Sequence, residues 1–199
     1  MRARIVVFMV LFFIVFGFAK GIAKKPEKIL MIIASKNFRD EEFLIPKKYF
    51  EKQGYKVVVA SSWLLPCKGM LGKVEVIPDK LVSDVKPENY VAIVFVGGTG
   101  CVEYFNNPVV KKLVREAYEE HKVIGAICLA PCILAKAGIL KGKKATIWYS
   151  ASRCLEENGA HYTGRDVEVD GRIVTAAGPF AAEKFAITVV DLIQHKHNL

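Results

Sequence analysis

Cys128 ends an apolar run and stands just ahead of Pro131 in the stretch GAICLAP. Ala126 and Ala130 flank it two positions away on either side. A nucleophile on a sharp strand-to-helix turn needs small neighbours, because the turn leaves little room beside it. Pro131 suits the first position of a helix. A thiol at a helix amino terminus feels the dipole and ionises more readily. Free cysteine is also among the most buried residue types, so plain core packing stands as the alternative.

Two other segments hold groups that a reactive thiol would use. Gly97-Gly98-Thr99-Gly100 closes an apolar run and offers backbone N–H groups as oxyanion donors, with the Leu129 backbone as a further pocket group. The same residues could form an ordinary turn, and the Lys-Ser/Thr ending of a phosphate loop is missing. Glu42 is either a carboxyl that hydrogen-bonds the thiol or a solvated acid favoured at a helix start. Cys132, four residues past Cys128, and Cys101, just after the glycines, are the candidate redox partners of Cys128. A disulfide requires Cα atoms roughly 4.4–6.8 Å apart. Cys67 and Cys154 read as packing or surface residues. There is no CxxC, and His121, His161, His195 and His197 do not group with the cysteines, so no metal site is expected. No cofactor is implied.

The elements that must position these groups alternate. KILMIIAS, YKVVVASS, YVAIVFV and KVIGAIC are apolar runs of the kind buried on both faces of a parallel sheet. Between them DEEFLIPKKYFEKQG and VVKKLVREAYEEH have helical periodicity, with Phe43, Leu44, Tyr49 and Phe50 near one side of the first. Asn107-Pro108 supplies an N-cap and a first-turn proline. Pro131 to Ala137 reads as a helix closed by Gly138, and SRCLEENGA as a short one. KKATIW looks like another strand, residues 65–82 like a short antiparallel excursion, and DVEVDGRIVTAA like a hairpin turning at Asp170-Gly171. AAEKFAITVVDLIQ is a final amphipathic helix. Strands alternating with helices predict a doubly wound α/β sandwich, mostly parallel, with helices on both faces and a small β-hairpin. Ligands collect outside the carboxyl ends of such strands, where Glu42, Gly97-Gly98 and Cys128 all fall.

The chain has 199 residues, 52% of them hydrophobic, with a net charge of +9. That suits one core of residues 28–195 plus a short appendage. The lysines are dispersed among glutamates with no Arg/aromatic stripe, so nucleic acid is not an expected partner. Abundant Lys and Glu beside only two Gln suggest a heat-adapted source. Arg2 and Arg4 precede an apolar run that ends in Gly17-Phe18-Ala19. Residues 1–19 therefore read as a signal peptide or as an uncleaved membrane anchor, with a core segment as the third reading, and residues 20–27 as a linker. The run of about 15 residues is short against the ~20 of a spanning helix. Membrane attachment would go through residues 5–19. The protein is then exported or anchored on the extracytoplasmic face, or cytoplasmic if the segment is not a signal.

The set EFLIP from Glu42, VFVGGTG, GAICLAP, AGIL-KGKKAT, NGAHYT, VEVDGRIVTAAGP and EKFAITVVDLI resembles, in order and spacing, the ThiJ/PfpI family of the class I glutamine amidotransferase-like superfamily. The resemblance spans Lys28 to about Gln194. It implies a flavodoxin-like sandwich, a reactive elbow cysteine at Cys128, a glutamate touching it at Glu42, and a glycine pair lining the pocket at Gly97 and Gly98. It also implies a homo-oligomer and a role in stress response. Many members carry histidine directly after the cysteine, where this chain has Leu129. Others carry it after the next strand, where this chain has Thr146-Ile147-Trp148-Tyr149. The implied activity is attack on a small carbonyl or weak cysteine hydrolysis, with a small molecule or peptide as substrate. Without a family histidine, a redox or stress sensor and a degenerate binding module stay open beside it.

Overall fold

A computed structural model describes residues 26–195. The signal or anchor reading of residues 1–19 lies outside the described residues, as does His197. Strand β1 (Lys28–Ile32) leads through a short β2 (Lys36–Phe38) into helix α1 (Asp40–Lys52) and strand β3 (Lys56–Ser61). Three short strands follow, β4 (Cys67–Gly69), β5 (Glu75–Val76) and β6 (Lys80–Leu81). Then come β7 (Ala92–Phe95), α2 (Pro108–Glu119), β8 (Val123–Ile127) and α3 (Pro131–Ala137). The chain continues through β9 (Lys144–Ala145), α4 (Ser152–Glu157), β10 (His161–Tyr162), the hairpin β11 (Val167–Asp170) and β12 (Ile173–Ala176), and α5 (Ala182–Gln194).

Seven strands form one sheet in the order β11-β12-β8-β7-β1-β3-β6. All neighbours in it are parallel except the β11–β12 hairpin. The chain winds outward from β1 through β3 to β6, then returns to β7 on the other side of β1. The order therefore reverses between β1 and β7, and a crevice opens at the carboxyl ends of such a pair. The loops after β1, β7 and β8 share that end, since Ile32 pairs with Phe95 and Phe95 with Ala126. This is the doubly wound sandwich expected, with helices on both faces.

Side chains alternate between the two faces along each strand. Leu30 and Ile32 of β1 join the core under α2 and α3, with Val110, Leu113 and Ile133. Ile29 and Met31 join the core under α1 and α5, with Phe43, Phe50, Phe185 and Val189. Phe43, Pro46 and Phe50 form the buried stripe of α1, but Leu44 is 47% exposed, off the stripe expected for it. KKATIW makes a strand only at Lys144–Ala145, outside the main sheet. Beyond it the backbone serves other partners: Thr146 N donates to Thr175 Oγ1 and Trp148 N to Cys128 O.

Candidate active site

The elbow is a break in strand alternation. Val123 and Ile127 of β8 face the α1/α5 core. Alternation would send Cys128 to the opposite face. Instead its backbone takes φ 61°, the left-handed region, and the residue packs in the same core as Ile127. Such a φ in a residue other than glycine costs roughly 1–3 kcal/mol and persists only where its surroundings enforce it. Two hydrogen bonds enforce it here. Cys128 N donates to Ala176 O at 2.9 Å, and Cys128 O accepts from Trp148 N at 3.0 Å.

Glu42 arrives from the first turn of α1. Asp40 and Glu41 share that turn, where the dipole favours acids. Asp40 ties the helix start to the loop after β4 by accepting from Leu71 N and Lys73 N. Glu42 is wholly buried. Its Oε2 accepts from Gly97 N at 3.1 Å. Gly97 must be glycine, because a Cβ there would lie 2.6 Å from both Glu42 Oε2 and Cys128 Cβ. Gly98 takes φ 91°, and a Cβ on it would press on the backbone of Asn37, Phe38 and Arg39. These two glycines let three strand-end loops close on one point.

Glu42 Oε1 is buried, with no hydrogen-bond partner among the described residues. Burial pushes the Glu42 carboxyl up to about 8, against the lowering effect of hydrogen bonds from Cys128 and Gly97. A carboxyl so placed holds its proton near neutrality, and the Cys128 thiol is the group that donates to it when it is ionised. Burial and the Glu42 charge together push the Cys128 thiol up to about 12, while the backbone N–H groups of Gly98 and Leu129 favour the thiolate. Protonation of Glu42 removes that opposing charge. The ionisation of each group thus depends on the other, and the N–H groups of Gly98 and Leu129 favour negative charge at the sulfur.

A cavity of ≈ 250 Å³ opens beside the sulfur, lined by Arg39, Met70, Gly98, Thr99, Cys128, Leu129, Trp148 and Pro179. Its wall is apolar apart from Arg39 and Thr99. None of the described histidines lines it. Leu129 and Trp148, at the two places where the family resemblance implied a histidine, form its wall. Among the described residues no cluster of three or more His, Cys, Asp or Glu could hold a metal ion. Glu42, Gly97, Gly98, Cys128 and Leu129 are therefore brought together at one end of the sheet. Arg39, Met70, Trp148 and Pro179 were not singled out from the sequence as site residues. Arg39 and Met70 each lie next to or within a loop that covers the β1/β7 crevice, a placement that appears only once the strand order is known.

The redox partners separate. Cys132 is disulfide-bonded to Cys154, with Cα atoms 5.8 Å apart, and so is not a partner of Cys128. The reason is direction. Cys132 sits in the first turn of α3, which packs against α4, whereas the left-handed turn sends Cys128 toward α1. The packing or surface reading of Cys154 gives way to this bond. Cys101 is a free, buried thiol whose ionisation is opposed by burial and then by nearby Cys128 and Glu42.

Comparison with known proteins agrees with this architecture. Residues 27–192 match the model of the DJ-1/PfpI family. An uncharacterised protein of Methanocaldococcus jannaschii is 48% identical over 174 residues, covering 85% of this chain and 84% of its own. A glutathione-independent glyoxalase of Caenorhabditis elegans is 27% identical, covering 83% of this chain and 88% of its own. The crystal structure of a ThiJ/PfpI domain protein from Brachyspira murdochii superposes with a TM-score of 0.82 at 32% identity, covering 85% of this chain and 98% of that one. With the match running through the elbow, the glutamate loop and the glycine pair alike, the chain belongs to the DJ-1/PfpI family.

Proposed function

We propose that the protein is a cysteine-dependent enzyme acting on small 2-oxoaldehydes, with Cys128 as nucleophile and Glu42 as its proton partner. The observation that carries this is the buried Glu42 carboxyl against the Cys128 thiol, raised to about 8 and so able both to take and to give a proton near neutrality. It supplies what a family histidine would otherwise supply. The similarity to a glutathione-independent glyoxalase supports the substrate class.

The chemistry balances without a cofactor. With Glu42 ionised, the sulfur adds to the aldehyde carbon, the carbonyl π bond opens onto its oxygen, and the thiol proton passes to the Glu42 carboxylate. The Gly98 and Leu129 N–H groups receive the developing oxyanion, which then takes the proton back. Glu42, ionised again, removes the hydrogen on that carbon as a proton; the electron pair it leaves forms a carbon–carbon double bond, and the ketone oxygen takes up a proton to give an enediol. The enediol then collapses: the hydroxyl on the first carbon gives up its proton and becomes the thioester carbonyl, the second carbon takes a proton from Glu42, and the second carbon is left as an alcohol. Water cleaves the thioester, releasing a 2-hydroxy acid and the free thiol. Lactate formed from methylglyoxal by the purified protein, and lost in Glu42→Gln, supports this; lactate formation unaffected by Glu42→Gln overturns it.

Cys101 beside Cys128, both free, supports a second reading as a redox sensor. Intact mass after mild peroxide distinguishes them: a sensor gains oxygen at Cys128 or joins it to Cys101, and shows no turnover. The Cys132–Cys154 bond fits an oxidising compartment, which the signal or anchor reading of residues 1–19 would provide, and equally a heat-adapted cytoplasm. Amino-terminal sequencing of protein from fractionated cells separates the two.

A further inference from the structure

We propose that the site prefers 2-oxoaldehydes that carry a carboxylate, and that Arg39 is the residue that selects them. This rests on the reading of Cys128 as a nucleophile toward carbonyls and adds the charge of the substrate to it.

Arg39 is the one charged residue among the described residues that line the cavity beside Cys128. Its backbone is fixed to the site, since Arg39 N donates to Gly97 O at 3.0 Å. One edge of its guanidinium is occupied: Nε donates to Glu41 Oε2 at 2.7 Å and Nη2 to Glu41 Oε1 at 3.2 Å. That fork holds the planar group in one orientation. Among the described residues the remaining nitrogen, Nη1, meets only the thioether sulfur of Met70 at 3.9 Å, a weak acceptor. A charged donor is thus held in a fixed place, and no oxygen of the described residues receives it.

The rest of the wall makes that donor count. Met70, Leu129, Trp148 and Pro179 offer apolar surface, which thins the water around a bound ion pair and strengthens it. The volume of ≈ 250 Å³ suits a ligand of a few carbons. An uncharged 2-oxoaldehyde fills the apolar part and gives Arg39 nothing. A 2-oxoaldehyde with a short tail ending in a carboxylate fills both. The chemistry at Cys128 is unchanged: the sulfur adds to the aldehyde, the internal oxidation and reduction proceed as above, water cleaves the thioester, and the product is a 2-hydroxy diacid.

The probes are 4,5-dioxopentanoate and its uncharged analogue 2-oxopentanal, which share a five-carbon skeleton. Wild type is expected to turn over the charged probe with about 10- to 100-fold higher kcat/KM, the range for a hydrogen bond to a charged group. Arg39→Gln should bring the ratio of the two probes close to unity. Glu41→Gln should move it the other way, because it frees the second edge of the guanidinium; a variant that merely loosened the fold would not. Binding is measured separately on Cys128→Ser, with 4-oxopentanoate against 2-pentanone by calorimetry, and should show the same preference and the same two opposite shifts. Equal handling of charged and uncharged probes by wild type overturns the role of Arg39, as does an unchanged ratio in Arg39→Gln. If neither aldehyde turns over, the underlying enzyme reading fails, and the calorimetry still decides whether Arg39 selects a carboxylate.

Discussion

Glu42 and Gly97 define the site between them: the Gly97 N–H donates to Glu42 Oε2 at 3.1 Å, and a single methyl added to Gly97 would press on that oxygen and on Cys128 Cβ at once. Room for the carboxyl against the thiol exists because the loop just after β7 places a residue with no side chain there.

Gly97→Ala tests that geometry. The added Cβ would meet Ile127 O at 2.5 Å as well, so backbone must shift. Overpacking of this kind costs about 1–3 kcal/mol. A domain of this size loses ~2–4 °C of Tm per kcal/mol. The expected result is a Tm drop of several degrees and a larger fractional loss of Cys128 alkylation rate, read by iodoacetamide labelling. An alkylation rate equal to wild type would separate the glycine from the site.

Glu42 makes both activity and stability depend on pH. Its carboxyl is raised from 4.5 in the unfolded chain to about 8 in the fold. The folded state then binds the extra proton between those values, so stability falls as pH rises through that window, by roughly 1.4 kcal/mol per unit at the steepest. Glu42→Gln should be more stable than wild type at pH 9 and should flatten the slope between pH 5 and 8, measured by denaturant unfolding. Alkylation of Cys128 in wild type should rise with an apparent pKa near 8, as the pair gives up its first proton, and Glu42→Gln should move that inflection.

The Cys132–Cys154 bond closes a loop with a sequence separation of 22, worth about 3 kcal/mol in the chain-entropy account. Reduction should lower Tm by roughly 6–12 °C. The chain has five cysteines, three of them free. Thiol titration in denaturant should therefore count three without reductant and five with it. A count of five without reductant would remove the bond.

How much of this was legible depended on whether a feature was local. The elbow was readable because Ala126, Cys128, Ala130 and Pro131 are contiguous and their spacing has a steric reason. The parallel sheet was readable because both-face burial leaves unbroken apolar runs such as YVAIVFV. The disulfide was not. Cys132 sits in the first turn of α3 like any packed residue, and only the packing of α3 on α4 shows that Cys154 faces it. Arg39 was hidden in a run of charges, RDEE, that spacing alone reads as a solvated helix start. Its neighbours divide by depth: Asp40 and Glu42 are buried, while Arg39 and Glu41 pair at the rim. Trp148 was noticed only as a missing histidine, and the loss of strand pairing after Ala145 is what turns it into the wall of the cavity.

The central claim is that the Cys128 sulfur forms a bond to substrate. Its most direct test is methylglyoxal consumption at pH 8.5 by wild type and by Cys128→Ser, with the wild-type protein trapped by acid during turnover and its mass recorded. The account predicts a sulfur-bound adduct on the peptide containing Cys128 in wild type, and consumption by Cys128→Ser no faster than buffer. Equal consumption by the two proteins, with no adduct at Cys128, would contradict it.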